Sequence, residues 1–240
     1  MRIGGLQSFS VIDYPGKVAA ILFTQGCHFR CPYCYNPELV IPKEFREIIP
    51  QRDVLEFLER RKKYLQGVVV TGGEPTIQNG LIPFLKKIKQ LGYLIKLDTN
   101  GSQPDVLKQL IERKLVNFIA MDIKAPLKKY ELTVKVKVNV KKIQESIDLI
   151  LQAGLPYEFR TTVVKPLCST EDLYEIICSI PQVKCYSIQK FIPSEKILDK
   201  TLLTQDHYCD EEISRFRAKW ERRPCQNECS KCAKQTACLS

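Results

Sequence analysis

Short apolar, β-branched stretches alternate along the chain with longer stretches whose apolar residues recur every three or four positions. This is the pattern of repeated strand-helix units that feed a parallel sheet. It predicts six strands, over residues 18–24, 67–71, 93–98, 118–122, 157–164 and 185–189. Helical periods fall between them, over 52–63, 80–91, 104–114, 139–153 and 170–178. Gly92 and Gly154 stand just past two of these helices, where a left-handed residue ends the last turn, and Asn139 and Thr170 are placed to cap two helix starts. The run Val134-Lys135-Val136-Lys137-Val138 alternates like a half-exposed strand but interrupts a strand-to-helix step, so it reads as a loop or an added edge strand.

Six units are too few to close an eight-stranded barrel. The expected fold is α/β: a partial, open (β/α)6 barrel of the TIM type with parallel strands, carrying its chemistry at the strand C-terminal ends. A doubly wound sheet has the same periodicity and stays open as an alternative. With 240 residues, 44% of them hydrophobic, the chain can bury a sizeable core. The main domain is expected over residues 1–220, followed by a Cys-rich tail over 221–240. The apolar runs fall far short of the roughly 20 residues that cross a bilayer, and the first residues lack a signal-peptide pattern. A cytoplasmic location without membrane partners is therefore expected.

Lys and Arg number 37 against 27 Asp and Glu, for a net charge of +10. The positive residues are scattered rather than grouped into a stripe, which favours a solvated basic surface over a nucleic-acid groove. The eleven cysteines change the picture more. Disulfides rarely persist in the cytosol, so clustered cysteines point to metal or redox chemistry. Cys27, Cys31 and Cys34 form one cluster, and Cys225, Cys229, Cys232 and Cys238 form another. Cys168, Cys178, Cys185 and Cys209 stand alone and read as buried small hydrophobes.

The first cluster, Cys27-His28-Phe29-Arg30-Cys31-Pro32-Tyr33-Cys34, follows the first predicted strand directly. Three thiolates so close can bind three irons of a cubane cluster within one loop, leaving the fourth iron open to a substrate or cofactor. Zinc is the plainer alternative. Thr71-Gly72-Gly73-Glu74-Pro75 ends the second strand; its glycines permit close backbone approach to a ligand, and Glu74 can accept from an amino group. Asp98-Thr99-Asn100-Gly101 and Met121-Asp122-Ile123-Lys124 end the third and fourth strands, and Arg160 lies on the fifth. Each alone is ordinary turn or ion-pair chemistry. Together they set carboxylates and cations around one strand-end mouth.

The CxxxCxxC spacing, with an aromatic residue before its last cysteine, resembles the radical S-adenosylmethionine (SAM) superfamily. The resemblance implies a [4Fe-4S] cluster whose open iron chelates the amino and carboxylate groups of SAM and whose electron splits it to methionine and a 5'-deoxyadenosyl radical. Gly72-Gly73-Glu74 is similar to the superfamily motif that orients the SAM amino group. The stretch GLQSFSVIDYPGK over residues 5–17, with Phe23-Thr24-Gln25-Gly26-Cys27 and Cys34-Tyr35-Asn36-Pro37, narrows this to the activating enzymes of glycyl radical enzymes. Within them the chain is most similar to the activating proteins of anaerobic ribonucleoside-triphosphate reductase. The resemblance covers roughly residues 1–195.

By this resemblance Asn36, Gly73, Glu74, Thr99, Asp122, Lys124 and Arg160 line the SAM site, with Gly72 beside them. Asp98 and Asp122 match positions that hold a monovalent cation in the related pyruvate formate-lyase activase. The implied partners are anaerobic ribonucleotide reductase as protein substrate and a low-potential electron donor such as flavodoxin or ferredoxin. The chain departs from that activase where it reads Gln189-Lys190-Phe191-Ile192 in place of a histidine. His28 and His207 read as surface or packing residues. Cys225, Cys229, Cys232 and Cys238 repeat the spacing with a fourth thiol, suited to a closed zinc or auxiliary iron-sulfur site. Two other readings are a small-molecule radical enzyme of the deazapurine synthase kind and a zinc-stapled nucleic-acid-binding module.

Overall fold

The computed structural model describes residues 1–180 and 183–221. One sheet of seven strands follows chain order: β1 (Ile3–Ser10), β2 (Ala19–Thr24), β3 (Gly67–Gly72), β4 (Leu94–Thr99), β5 (Phe118–Asp122), β6 (Tyr157–Val163) and β7 (Tyr186–Lys190). β1 runs antiparallel to β2, and β2 through β7 are parallel. β1 and β7 each have one neighbour in the sheet, so the barrel is open. A doubly wound sheet reverses its strand order partway, and this one does not.

The helices are α1 (Pro37–Val40), α2 (Gln51–Arg61), α3 (Leu81–Gln90), α4 (Pro104–Glu112), α5 (Tyr130–Val134), α6 (Val140–Gln152), α7 (Thr170–Ser179) and α8 (Asp210–Glu221). Their apolar faces meet one face of the sheet, where Leu22, Val68, Val70, Ile95 and Leu97 pack with Phe84, Leu85 and Ile88 of α3. Alternate residues Ala19, Ile21 and Val69 form a smaller cluster on the opposite face, under Tyr14. The strands are thus buried on both faces, which is why they read as continuous apolar runs. Each such side chain contributes about 1.5–3 kcal/mol by burial. At the far edge Arg217 of α8 donates twice to the Ile188 carbonyl of β7 (3.2 and 3.0 Å) and covers that strand.

β1 was not legible in the pattern: Ile3–Ser10 holds two glycines and three polar residues, and its partner β2 makes it a strand. Val134 to Val138 is the end of α5 and a loop, because the Val138 amide donates to the Glu131 carboxylate (2.9 Å) and not to a strand. Asn139 caps α6 as expected, through Lys141 N (3.1 Å). The cap of α7 is Ser169 rather than Thr170, in a reciprocal capping box with Asp172. Cys168 is buried, whereas Cys178, Cys185 and Cys209 are exposed and are not core residues. Periodicity at a helix rim or strand start does not fix which way a single small residue faces. Among the described residues no helix is long and apolar enough to cross a membrane. Cys225, Cys229, Cys232 and Cys238 lie outside the described residues.

Candidate active site

The parallel register sets the chemistry-bearing strand ends side by side. Thr24, where the chain leaves β2 for the cysteine loop, pairs with Gly72 at the end of β3, and Asp122 at the end of β5 pairs with Arg160 of β6. Backbone bonds then lace the loop to the glycine turn: Gly73 N donates to Thr24 O and Glu74 N to Gly26 O, both at 2.8 Å. A Cβ on Gly73 would lie 2.2 Å from the Gly26 oxygen. The close approach that requires glycine here is to the backbone just before Cys27. On its outer side the loop is held by Arg30 N to Val134 O (2.9 Å), Leu198 N to Cys34 O (3.0 Å) and Asp199 N to Pro32 O (2.9 Å). The Tyr35 hydroxyl accepts from Ile192 N (2.8 Å) and donates to Ile192 O (2.9 Å), tying the loop to the chain beyond β7.

Cys31 is buried, and Cys27 and Cys34 are half-buried. Burial pushes the Cys27 thiol up to about 12, reinforced by the Glu74 charge, and the Cys31 thiol up to about 11 although Lys124 opposes it. Burial likewise raises Cys34, against a hydrogen bond from the Asn36 backbone. Without a metal the three are neutral thiols at pH 7, and metal binding must expel their protons. Phe29 N points at Cys27 Sγ (3.4 Å), a donor suited to an ionised sulfur. Among the described residues no three His, Cys, Asp or Glu side chains converge to hold a single metal ion. Three thiols within eight residues of one loop suit a cluster in which each meets its own iron.

Glu74 is buried, at 1% exposure, and its carboxylate is engaged within the protein. Oε1 accepts from Thr76 N (3.0 Å), the Thr76 hydroxyl and Thr99 Oγ1 (2.7 Å), and Oε2 accepts from Asn100 N (2.7 Å). Burial raises its pKa, and these donors oppose the rise. The glutamate therefore joins the end of β3 to the end of β4, with lone-pair capacity left on Oε2.

Beyond it an ion chain crosses three strands. Lys96 Nζ bonds Asp98 Oδ1 (2.7 Å), Arg160 bridges Asp98 Oδ2 (3.3 Å) and Asp122 Oδ1 (2.8 Å), and Lys124 Nζ bonds Asp122 Oδ2 (3.0 Å). Both carboxylates of the expected cation pair are thus engaged by protein cations. Of the three cations, Arg160 and Lys124 line the cavity and can meet a ligand carboxylate, while Lys96 lies buried behind Asp98. Burial opposes ionisation of Asp122, but Arg160 and Lys124 prevail and hold its carboxyl well below the ordinary carboxylate range.

Replacing Asp122 with asparagine leaves two buried cations under-compensated, a loss of about 3 kcal/mol. For a chain of this length that lowers Tm by roughly 6–12 °C in a thermal melt. A depressed pKa gives stability that is complete above the unfolded value of about 3.9 and is lost as pH falls through the folded one. The gap between wild type and Asp122→Asn should accordingly stay flat from about pH 8 to 5 and close only in stronger acid.

Cys27, Cys31, Cys34, Asn36, Gly72, Gly73, Glu74, Asp98, Thr99, Asp122, Lys124 and Arg160 all line one cavity of about 460 Å³ at the strand C-terminal ends, a volume within the range of small-molecule sites. Asp13, Thr71, Asn100, Thr162 and Gln189 line it too and were not singled out from the sequence as site residues. Asn100 lies inside a motif that was read, but nothing local distinguishes it from a turn asparagine. Gln189, which stands in the segment that replaces the histidine, accepts from Thr162 Oγ1 (3.3 Å). Both nitrogens of His207 are buried without a hydrogen-bond partner, and its ring packs on Phe191 at 5.1 Å, outside the cavity.

Residues 21–176 match the family model described as Radical SAM superfamily, which is more than half of the chain. The chain belongs to the radical SAM superfamily. Its cofactors are therefore a [4Fe-4S] cluster and SAM, and the zinc-stapled nucleic-acid module is set aside. It is 32% identical over 202 residues to MJ1227 of Methanocaldococcus jannaschii, named as a glycyl-radical enzyme activating enzyme, across 80% of this chain and 81% of that one. It is also 32% identical over 128 residues to the pyruvate formate-lyase-activating enzyme of Clostridium pasteurianum, across 51% of this chain and 52% of that one. Among solved structures, Streptococcus suis SuiB bound to S-adenosylmethionine superposes with a TM-score of 0.62 at 17% identity, covering 83% of this chain and 47% of that one. That likeness supports the radical SAM fold. The relatives place the chain with the activating enzymes of glycyl radical enzymes.

Proposed function

We propose that this radical SAM enzyme activates a glycyl radical enzyme by removing a hydrogen atom from a glycine of that partner, and that the partner is anaerobic ribonucleotide reductase. The observation that carries the reading is the single cavity shared by the three thiols and the charged strand ends. Relatedness to MJ1227 over four-fifths of the chain supports the activase class. The motifs of residues 5–37 support the particular partner.

Cys27, Cys31 and Cys34 hold the cluster. When bound, the cluster supplies the electron that cleaves SAM to methionine and a 5'-deoxyadenosyl radical. Lys124 and Arg160 are the cations that line the cavity, and they draw in the SAM carboxylate. Glu74, with capacity left on Oε2, accepts from the SAM amino group, while Asn36, Thr99, Asp98 and Asp122 offer polar contacts to the remainder. Phe29, Tyr33 and Val40 wall the cavity and keep water from the reacting carbon. No side chain has to transfer a proton. A low-potential carrier, flavodoxin or ferredoxin, delivers the electron from outside.

Anaerobic incubation of the loaded enzyme with SAM, reductant and candidate glycyl radical proteins tests the partner. A glycyl doublet in the electron paramagnetic resonance spectrum of anaerobic ribonucleotide reductase, with none on pyruvate formate-lyase, is expected. The reverse pattern would reassign the partner.

A further inference from the structure

Thr99 ends β4, Asn100 follows it, and both are drawn to Glu74. The Asn100 side chain then turns back along its own loop, where Oδ1 accepts from Ser102 N (3.0 Å). That bond settles which end of the amide is oxygen and which is nitrogen. Nδ2 is left facing Cys27 Sγ at 3.9 Å, and Asn100 as a whole is 6% exposed. The Cys27 sulfur therefore has two nitrogen donors directed at it, Phe29 N at 3.4 Å and Asn100 Nδ2.

We propose that Asn100 is a positioning residue that sets the redox poise of the cluster by directing its amide N–H at the Cys27 sulfur. The inference rests on Cys27 being a cluster ligand. A ligating sulfur carries negative charge, and that charge grows when the cluster accepts an electron. A donor aimed at the sulfur hence stabilises the reduced form more than the oxidised one and raises the potential. At 3.9 Å the contact is at the long end for a donor to sulfur, and a negative charge on the sulfur strengthens it in a buried, low-dielectric site. Glu74 has a second part in this scheme: by holding Asn100 N it fixes the loop that aims the amide.

Two substitutions separate the electrostatic role from a structural one. Asn100→Leu removes both the donor and the acceptor at nearly constant volume. Asn100→Asp keeps an acceptor for Ser102 N and sets a negative oxygen where the donor stood. Each variant is reconstituted anaerobically and titrated against redox mediators without SAM or a partner protein, following the signal of the reduced cluster by electron paramagnetic resonance. At the wild-type midpoint potential, the ratio of reduced to oxidised cluster should fall about fivefold in Asn100→Leu. It should fall further in Asn100→Asp, with iron per chain unchanged.

Midpoints equal to wild type in iron-loaded variants would overturn the proposal. If Asn100→Leu fails to load, Asn100→Asp decides alone: a lower midpoint upholds the role, and an unchanged one ends it. A null result here would leave the activase reading intact. Absence of a glycyl radical with every partner would leave this shift in potential measurable.

Discussion

Replacing any one of Cys27, Cys31 or Cys34 with alanine is expected to lower SAM cleavage by more than about a hundredfold, beyond the roughly 10–100-fold lost when a residue that only orients a ligand is removed. The three thiols line one cavity wall, and burial keeps each of them protonated unless a metal replaces the proton. No other described cysteine lines the cavity, so none can take the vacated corner. The fold should tolerate the change, since the sulfur is small and the loop is held by backbone bonds on both sides. Anaerobically reconstituted variants should therefore keep the wild-type circular dichroism spectrum while losing iron and 5'-deoxyadenosine production together. Cys178→Ala, at an exposed site, should lose neither. A Cys31→Ala protein that retained both would remove the cysteine loop from the chemistry.

The second large effect is expected at a residue with no side chain to titrate. Gly73→Ala adds one methyl group, which would start 2.2 Å from the Gly26 oxygen and 3.1 Å from the Leu39 oxygen, both backbone atoms that cannot swing aside. Relief requires the Gly26 segment to move by roughly 1 Å, and a displacement of that size near reacting groups costs about a hundredfold in rate. Because Gly26 precedes Cys27, the movement passes directly into the cysteine loop, and it also breaks the Glu74 N to Gly26 O bond. Overpacking adds about 1–3 kcal/mol of destabilisation. The variant should fold, bind less iron and cleave SAM at about one per cent of the wild-type rate. Activity within twofold of wild type would show that the glycine turn does not position the loop.

Much of this site could be read before any coordinates because its residues sit at strand ends, and strand ends are marked by an abrupt change from apolar runs to Cys, Gly, Asp and Asn. The six parallel strands were legible for the same reason: burial on both faces makes them continuous apolar segments. β1 was not, since Gly4, Gly5, Gln7 and Ser8 carry no alternation and the strand exists through its pairing with β2. Nor could the sequence reveal that Glu74 is already engaged by Thr99 and Asn100, because those contacts join residues 25 and 26 positions apart. The alternating chain from Lys96 to Lys124 was hidden too. Asp98, Asp122, Lys124 and Arg160 were visible as charges, but their pairing depends on the β5–β6 register that sets Asp122 opposite Arg160. No motif marks Lys96, which is 3% exposed.

The most direct test of the account follows the hydrogen atom itself. A glycyl radical partner containing glycine deuterated at the α-carbon would be incubated anaerobically with the loaded enzyme, SAM and reductant, and the recovered 5'-deoxyadenosine weighed by mass spectrometry. The account predicts that 5'-deoxyadenosine gains deuterium in step with the glycyl radical on the partner. Formation of the radical with unlabelled 5'-deoxyadenosine would contradict it.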